Sequence, residues 1–187
     1  GGAGDHPAGV PIHGMTLACT LSTDGTVTHA DARMTSVPFE VSCRSSADDY
    51  AELIGLNVFD RFSARLRDHL GDRSGCHHLT TLAGMLPTLE IYESIERLQK
   101  PVIACVNGFA VGGGNVLQMV CDITIAKESA VFRQVGPMMG SFDAGYGTWY
   151  LEDLVGKKRA KEMWYRNPKL TAREALESAM FETVGEA

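Results

Sequence analysis

The feature that most constrains this chain is a triplet of glycines at residues 112–114, set between a β-branched run and an apolar run of helical spacing. In order, the segments are VIACV, an Asn107-Gly108 turn signal, the triplet, NVLQMVC and DITIA. This order predicts a strand, a glycine turn, a helix and a second strand, with VIACV as a buried parallel strand. A unit of this kind can present backbone N–H groups to an anionic oxygen at a helix N-terminus.

Two interpretations of the triplet stay open from the residues alone. A glycine inside a helix costs roughly 0.8–1 kcal/mol relative to alanine, so three in succession need a reason. The glycines can allow a sharp turn from a strand into a closely packed helix. Alternatively, they can let the backbone approach a ligand and donate free N–H groups to it.

Composition excludes several classes of protein. The 17 lysines and arginines against 23 aspartates and glutamates give a net charge of −6, and no basic run marks a nucleic-acid binder. No stretch has the 18 or so apolar residues of a membrane span, and residues 1–12 lack the pattern of a signal peptide, so we expect a cytoplasmic location. The 5 cysteines have no CxxC spacing, which argues against a disulfide framework.

The use of basic residues divides the chain into two parts. All 6 histidines precede residue 79, whereas all lysines follow residue 99. We therefore predict a boundary between Leu79 and Glu90. The expected organisation is a loose lead-in at residues 1–12, a small α+β domain fragment of unknown function at 13–85, and an α/β domain at 86–187.

The first part has the signals of a hairpin followed by helices. Asp24-Gly25 is a strong hairpin turn, and Gly71 ends a run with an apolar residue every three or four positions. That run predicts one helical face made of Phe59, Phe62, Leu66 and Leu70. The consecutive Cys76, His77 and His78 would point in different directions on a helix, so we expect a helix start with a partly buried Cys and His and no metal site.

The second part predicts α/β structure without a nucleotide site. LPTLEIYESIERLQ predicts an amphipathic helix that buries Leu89, Tyr92, Ile95 and Leu98 and ends before Pro101. GFAVGGG is not the GxGxxG pattern, and no P-loop lysine follows the triplet. Binding of a nucleotide phosphate is therefore disfavoured.

The segment from KPVIACVNGFAVGGGNVLQMVCDITIA to LTAREALESAMFETV resembles the crotonase family, also called the enoyl-CoA hydratase/isomerase superfamily. The resemblance covers about residues 86–184 and implies a partial ββα superhelix core that acts on an acyl-CoA. It implies that Gly113, with Gly112 beside it, donates an N–H group to the thioester oxygen in an oxyanion hole. It further implies no cofactor besides the coenzyme A of the substrate, and a homo-oligomer such as a trimer or hexamer.

The same resemblance disfavours simple hydration, because Val116 and Gly136 stand where hydratases of the family have catalytic glutamates. The forms GGGNVL, QVGP and SFDAGYG resemble the branch of 2-ketocyclohexanecarboxyl-CoA hydrolase and 1,4-dihydroxy-2-naphthoyl-CoA synthase. This branch implies acid/base roles for Ser141 and Asp143, whose alternative role is to cap the following helix. It also implies that Gln134, Gly136 and Tyr146 line the substrate pocket.

Three functions remain open. The first is hydrolytic, reverse-Claisen ring opening of a cyclic β-ketoacyl-CoA; the second is the synthase-type condensation. The third is a truncated or fused fragment without catalysis, because the earlier strands of a complete crotonase are replaced by a different domain. Residues 13–85 resemble the end of a small bacterial domain family of unknown function, which implies no chemistry.

Overall fold

A computed structural model describes residues 9–71, 75–140, 146–181 and 183–185, without the side chains of residues 40–42. The chain divides into two compact units, Gly1–Glu90 and Ile91–Ala187, each with its own hydrophobic core. The extents of the three predicted regions, including the lead-in, stay predictions.

The first unit begins with the predicted hairpin. Strand β1 (Gly14–Leu21) pairs antiparallel with β2 (Val27–Ser36), and Gly25 in the connecting turn has φ +82°. The Asp24 carboxylate accepts hydrogen bonds from Ser22 and Thr26, which lower its pKa. Asp24-Gly25 thus forms the turn that its sequence predicts, and Asn57 Nδ2 and the Val58 N–H donate to the Asp24 and Gly25 carbonyls from a distant segment.

Short helices complete this unit. They are α1 (Glu40–Ser45), a 3₁₀ segment (Asp48–Leu53), α2 (Phe62–Leu70) and α3 (His77–Ala83). Their buried side chains include Tyr50, Leu66 and Leu79.

The predicted helical face in this unit is wrong at Phe59, which is 57% exposed and precedes α2. The Asn57 side chain accepts from the Phe59 N–H, and Arg61 has a left-handed φ of 49°, so the backbone cannot continue as a helix through Phe59.

The second unit contains the strand, turn, helix and strand that the triplet predicts. Helix α4 (Leu86–Arg97) crosses the division between the units. The elements that follow are β3 (Ile103–Val106), β4 (Phe109–Val111), α5 (Gly113–Val120), β5 (Ile123–Lys127), β6 (Val131–Arg133), a 3₁₀ segment (Gly136–Met139), α6 (Gly147–Val155), α7 (Lys157–Arg166), β7 (Leu170–Thr171), α8 (Ala172–Glu177) and β8 (Thr183–Gly185).

Two small sheets organise this unit. Their strand orders are β3-β5-β8, all parallel, and β4-β6-β7, in which β7 is antiparallel. Helix α5 joins β4 of one sheet to β5 of the other, so the glycine turn lies where the chain passes between sheets. Buried residues such as Val116, Phe132 and Leu151 form the core.

Two predictions for this unit are corrected. Strand β3 was expected to be buried, but it lies at a sheet edge and Ile103 is 50% exposed. Helix α4 ends at Arg97, one residue before Leu98, which is 59% exposed. Tyr92 is buried as expected and Ile95 packs on the core. Across the described ranges, no helix has both the length and the apolar content needed to cross a membrane.

Candidate functional site

The glycine turn has a backbone conformation that only glycine adopts readily. Gly112 has φ 57° and ψ −123°, and its N–H donates to the Arg133 carbonyl at 2.9 Å. Its carbonyl accepts from the Asn115 and Val116 N–H groups at 2.9 and 3.1 Å. A Cβ at Gly112 would lie 3.1 Å from Val135 Cγ2. This geometry fixes the point at which α5 begins.

Helix α5 begins two residues earlier than the NVLQMVC pattern indicates, because Gly113 and Gly114 are its first helical residues. Both are exposed, and neither N–H has an acceptor within the residues that the structure describes. The buried Tyr92 hydroxyl donates to the Gly113 carbonyl at 3.2 Å. Two free N–H groups at a helix start can bind an anionic oxygen, and the helix dipole favours the same charge.

A chain of buried side-chain amides lies behind the turn. Asn115 Nδ2 donates to Gln134 Oε1 at 2.9 Å, and Gln118 Nε2 donates to Asn115 Oδ1 at 3.2 Å. Thr124 Oγ1 donates to Gln118 Oε1 at 2.9 Å. These bonds connect α5 to β5 and to the residue that follows β6. Sequence reasoning missed Asn115, Gln118 and Thr124, although polar residues three apart in an apolar helix are a signal for such contacts.

The predicted pocket residues divide between buried and exposed positions. The Gln134 side chain is buried and bonded to Asn115, and Asn167 Nδ2 donates to its carbonyl, so Gln134 supports the backbone around the turn. Gly136 is buried at the start of a 3₁₀ segment. Arg133 is half-buried at the end of β6, and its Nε donates to the Asn167 carbonyl at 3.0 Å.

Tyr146 lies at the start of α6 in a left-handed conformation, with φ 61° and a side chain that is 49% exposed. Its ring packs edge-on against Tyr150, with the centroids 6.5 Å apart. The Tyr150 hydroxyl donates to the Glu96 carboxylate, and burial together with this bond raises the Tyr150 pKa. Ser141 and Asp143 lie outside the described residues, so their roles stay predictions.

A groove of about 440 Å³ runs beside the free edge of β3 and reaches α5. Its lining includes Val102, Phe109, Gly114 and Leu117. The volume is within the range of small-molecule sites, about 300–1,000 Å³. Gly114 therefore connects the start of α5 with a mostly apolar groove.

One face of the β3-β5-β8 sheet carries exposed apolar side chains. Ile103 is paired with Ile123 and Cys105 with Ile125, and all four are exposed. Thr124 and Ala126, which alternate with Ile123 and Ile125 along β5, are buried on the opposite face. An exposed apolar patch of this kind is typical of a surface that contacts another polypeptide or a ligand. Among the described residues, no group of three His, Cys, Asp or Glu side chains could hold a metal ion.

Solved structures similar to this chain are enoyl-CoA hydratases and related proteins. The enoyl-CoA hydratase of Bacillus anthracis is 34% identical with a TM-score of 0.56, over 63% of this chain and 46% of that one. The enoyl-CoA hydratase of Thermoplasma volcanium is 29% identical with a TM-score of 0.57, over 60% and 45%. The enoyl-CoA hydratase/isomerase of Cupriavidus metallidurans is 26% identical with a TM-score of 0.53, over 68% and 56%.

These matches confirm the predicted fold class, an α/β chain with a partial crotonase-like core. The chain spans between 45% and 56% of the length of these three structures. Residues 2–92 match a family described as Protein of unknown function (DUF2889). Residues 80–185, more than half of the chain, match the family described as enoyl-CoA hydratase/isomerase. The chain therefore belongs to the enoyl-CoA hydratase/isomerase family.

Proposed function

We propose that the second unit binds an acyl-CoA thioester and contributes to hydrolytic ring opening of a cyclic β-ketoacyl-CoA. The observation that carries this proposal is the glycine turn, which leaves the N–H groups of Gly113 and Gly114 exposed at the start of α5. An enolate oxygen derived from a thioester is the kind of charge that such donors stabilise.

Gly113 is the proposed oxyanion donor. Gly112 is bonded to Arg133, and Tyr92 is bonded to the Gly113 carbonyl, so the donor is held before any ligand arrives. A fixed donor stabilises charge without reorganisation during the reaction. One such hydrogen bond is typically worth about 2.7–4 kcal/mol of transition-state stabilisation.

The groove beside β3 is the proposed place for part of the acyl-CoA. It has room for a small ligand, and Gly114 lies in its lining at the start of α5. Its apolar residues suit an alicyclic acyl group or the pantetheine chain.

The proposed reaction breaks one carbon–carbon bond. Water adds to the ring ketone, and the bond between that carbon and the α-carbon of the thioester breaks. The electron pair moves into the thioester enolate, whose oxygen accepts from the Gly113 N–H. The α-carbon then takes a proton, and the former ketone becomes a carboxylate. Asp143 is proposed to move the proton, and Ser141 to form a hydrogen bond with the substrate or with the Asp143 carboxylate.

Hydration of a simple enoyl-CoA is disfavoured by the residues around the turn. Val116 is fully buried in the core, at the position where hydratases of this family have a glutamate by the resemblance. Gly136 occupies the second such position and is buried as well. A general base typically contributes about 10²–10⁴-fold, so we expect crotonyl-CoA to be hydrated at the background rate.

The direct test is to incubate the full chain with 2-ketocyclohexanecarboxyl-CoA and measure pimeloyl-CoA by mass spectrometry. Crotonyl-CoA serves as the comparison substrate. Formation of pimeloyl-CoA without hydration of crotonyl-CoA is the expected result. Efficient hydration of crotonyl-CoA with no ring opening would contradict the proposal.

Gly113 offers a matched pair of variants. Gly113→Pro removes the N–H at the first helical position, where proline breaks no helical hydrogen bond. The loss of this donor should raise the activation free energy of turnover by about 2.7–4 kcal/mol. Gly113→Ala keeps the N–H, and its Cβ would lie no closer than 3.9 Å to Tyr92 Oη. Equal activities of the two variants would exclude the donor role.

Asp143→Asn tests the proton transfer separately. The amide has nearly the size of the carboxylate but cannot accept the proton, so turnover should fall while acyl-CoA affinity is retained. An unchanged rate would favour helix capping as the role of Asp143.

A non-catalytic fragment is the second candidate, favoured by the exposed apolar face of the β3-β5-β8 sheet. In that case no acyl-CoA binds at millimolar concentration. The synthase-type condensation is the remaining alternative, and it would form a ring from an open substrate where the hydrolase opens one. A homo-oligomer, and the absence of a cofactor besides coenzyme A, stay predictions.

A further inference from the structure

A thiol and two imidazoles from separate segments of the first unit lie together at the start of α3. Cys76 Sγ is 3.9 Å from His78 Nδ1, within reach of a sulfur hydrogen bond. The His13 ring, just before β1, packs against the His78 ring with the centroids 4.6 Å apart. We propose that Cys76 is a modification site for low-molecular-weight disulfides, with His78 as the base that takes the thiol proton.

The backbone of Cys76 is held by a buried tyrosine. Tyr50 Oη donates to the Cys76 carbonyl at 2.7 Å and accepts from the Cys76 N–H at 3.0 Å. Thr80 Oγ1 also lies 2.8 Å from this oxygen and can donate to it. Because Tyr50 is fully buried, these bonds fix the Cys76 backbone in place. The backbone of Cys76 is therefore fixed, while its thiol side chain is half-buried.

The base is also in a defined position. The His78 ring contacts His13 on one side and meets His77 edge-on, with the latter centroids 6.0 Å apart. His78 is exposed, so a disulfide from solution can reach the pair. A nucleophile within reach of a base that a third group positions is the arrangement used for thiol activation.

The other four thiols provide a contrast within the same chain. In the described part of the molecule, no hydrogen bond joins any of them to an imidazole. Burial raises the pKa of the Cys19 and Cys121 thiols, and the Cys121 thiol donates to the Leu117 carbonyl. Cys105 is exposed. Cys105 thus has full exposure without a base, whereas Cys76 has partial exposure together with a base.

The reaction is a balanced thiol–disulfide exchange. Cys76 gives its proton to His78, and the resulting thiolate attacks one sulfur of the reagent. The reagent S–S bond breaks while a new S–S bond forms at Cys76. The second half of the reagent leaves as a thiolate and takes the proton from His78. The disulfide reagent is the oxidant, so no other redox partner is needed.

The experiment treats the full chain with glutathione disulfide in the presence of a chelator and measures each cysteine by peptide mass spectrometry. Cys76 should form the mixed disulfide at least about 10-fold faster than Cys105. This rate ratio is smaller than the ~10²–10⁴-fold acceleration that a general base typically gives in a closed active site. This comparison needs no variant. A Cys76 rate equal to or below that of Cys105 would overturn the proposal.

Two pairs of variants separate the roles of the histidines. His78→Gln should lower the Cys76 rate by about 10-fold, whereas His29→Gln, at an exposed position on β2, should leave it unchanged, because His78 is the histidine that contacts the thiol. His13→Ala should slow the reaction by loosening His78, and His13→Phe should restore it by keeping the ring contact. The rate at which Cys19 forms the mixed disulfide is the control for folding, because it should rise if a variant loosens the first unit. Equal Cys76 rates in His78→Gln and His29→Gln would exclude His78 as the base.

Discussion

The glycine turn and the exposed sheet face belong to the same unit but differ in how completely they are supported. The turn is bonded on both sides, by Gly112 to Arg133 and by Tyr92 to Gly113, and buried amides lie behind it. The four exposed residues on β3 and β5 have no such support on their outer face. The difference teaches that the proposed donor can be preorganised although the surface next to it is open.

Truncation of a core side chain in the second unit should have the largest effect on stability. Phe132 on β6 is fully buried, with its ring 4.9 Å from that of Phe181. Phe132→Ala should lower the free energy of unfolding by about 3–5 kcal/mol, measured by denaturant titration. The matched control is Phe109→Ala on the neighbouring strand, where the side chain is 82% exposed and the expected change is within about 0.5 kcal/mol. Equal costs would remove the distinction between the two regions.

Removal of a buried side-chain amide behind the turn should have the second-largest effect on stability. Asn115→Ala removes the donor to Gln134 and the acceptor for Gln118, so we expect a loss of about 1–3 kcal/mol in the free energy of unfolding. Asn107→Ala, at an exposed turn position, is the control and should change it by less than about 0.5 kcal/mol. A neutral Asn115→Ala would mean that the amide chain does not support the turn.

A smaller effect is expected from a single hydroxyl. Tyr92→Phe removes the bond to the Gly113 carbonyl and keeps the buried ring, so it should cost about 0.5–1.5 kcal/mol in thermal or denaturant unfolding. Tyr165→Phe alters a side chain that is 81% exposed and should have no measurable effect. If Tyr92→Phe also leaves acyl-CoA affinity unchanged, the bond is not needed to position the Gly113 N–H.

The smallest effect on stability is expected on the exposed face. Ile123→Thr keeps a β-branched side chain on β5, where Ile123 is 42% exposed, and should change the free energy of unfolding by less than about 0.5 kcal/mol. Sedimentation should show less self-association, because apolar surface is removed. A loss of 2 kcal/mol or more, as for a buried side chain, would mean that this face is covered in solution.

The sequence predicted those features that depend on neighbouring residues. Asp24-Gly25 forms its hairpin through contacts two residues apart, and the glycine triplet leads into α5. The exposure of β3 could not be predicted, because VIACV has the composition of a buried strand. Whether such a strand is buried depends on packing against residues that are distant in the sequence. The pocket role of Gln134 stays a prediction, whereas its bond to Asn115 spans 19 positions and leaves no local signal in the sequence. Gly113 was assigned through the family resemblance, and its role as the oxyanion donor stays a prediction.

The measurement that tests the central claim most directly is the amide resonance of Gly113. The chain is labelled with ¹⁵N-glycine, and Gly113→Ala identifies the resonance by its loss. Titration with 2-ketocyclohexanecarboxyl-CoA is compared with titration by an S-alkyl coenzyme A, which has no thioester carbonyl. A free N–H that binds the thioester oxygen should show a downfield shift with the thioester and not with the S-alkyl compound. The same shift with both compounds, or none at saturation, would contradict the assignment of Gly113 as the oxyanion donor.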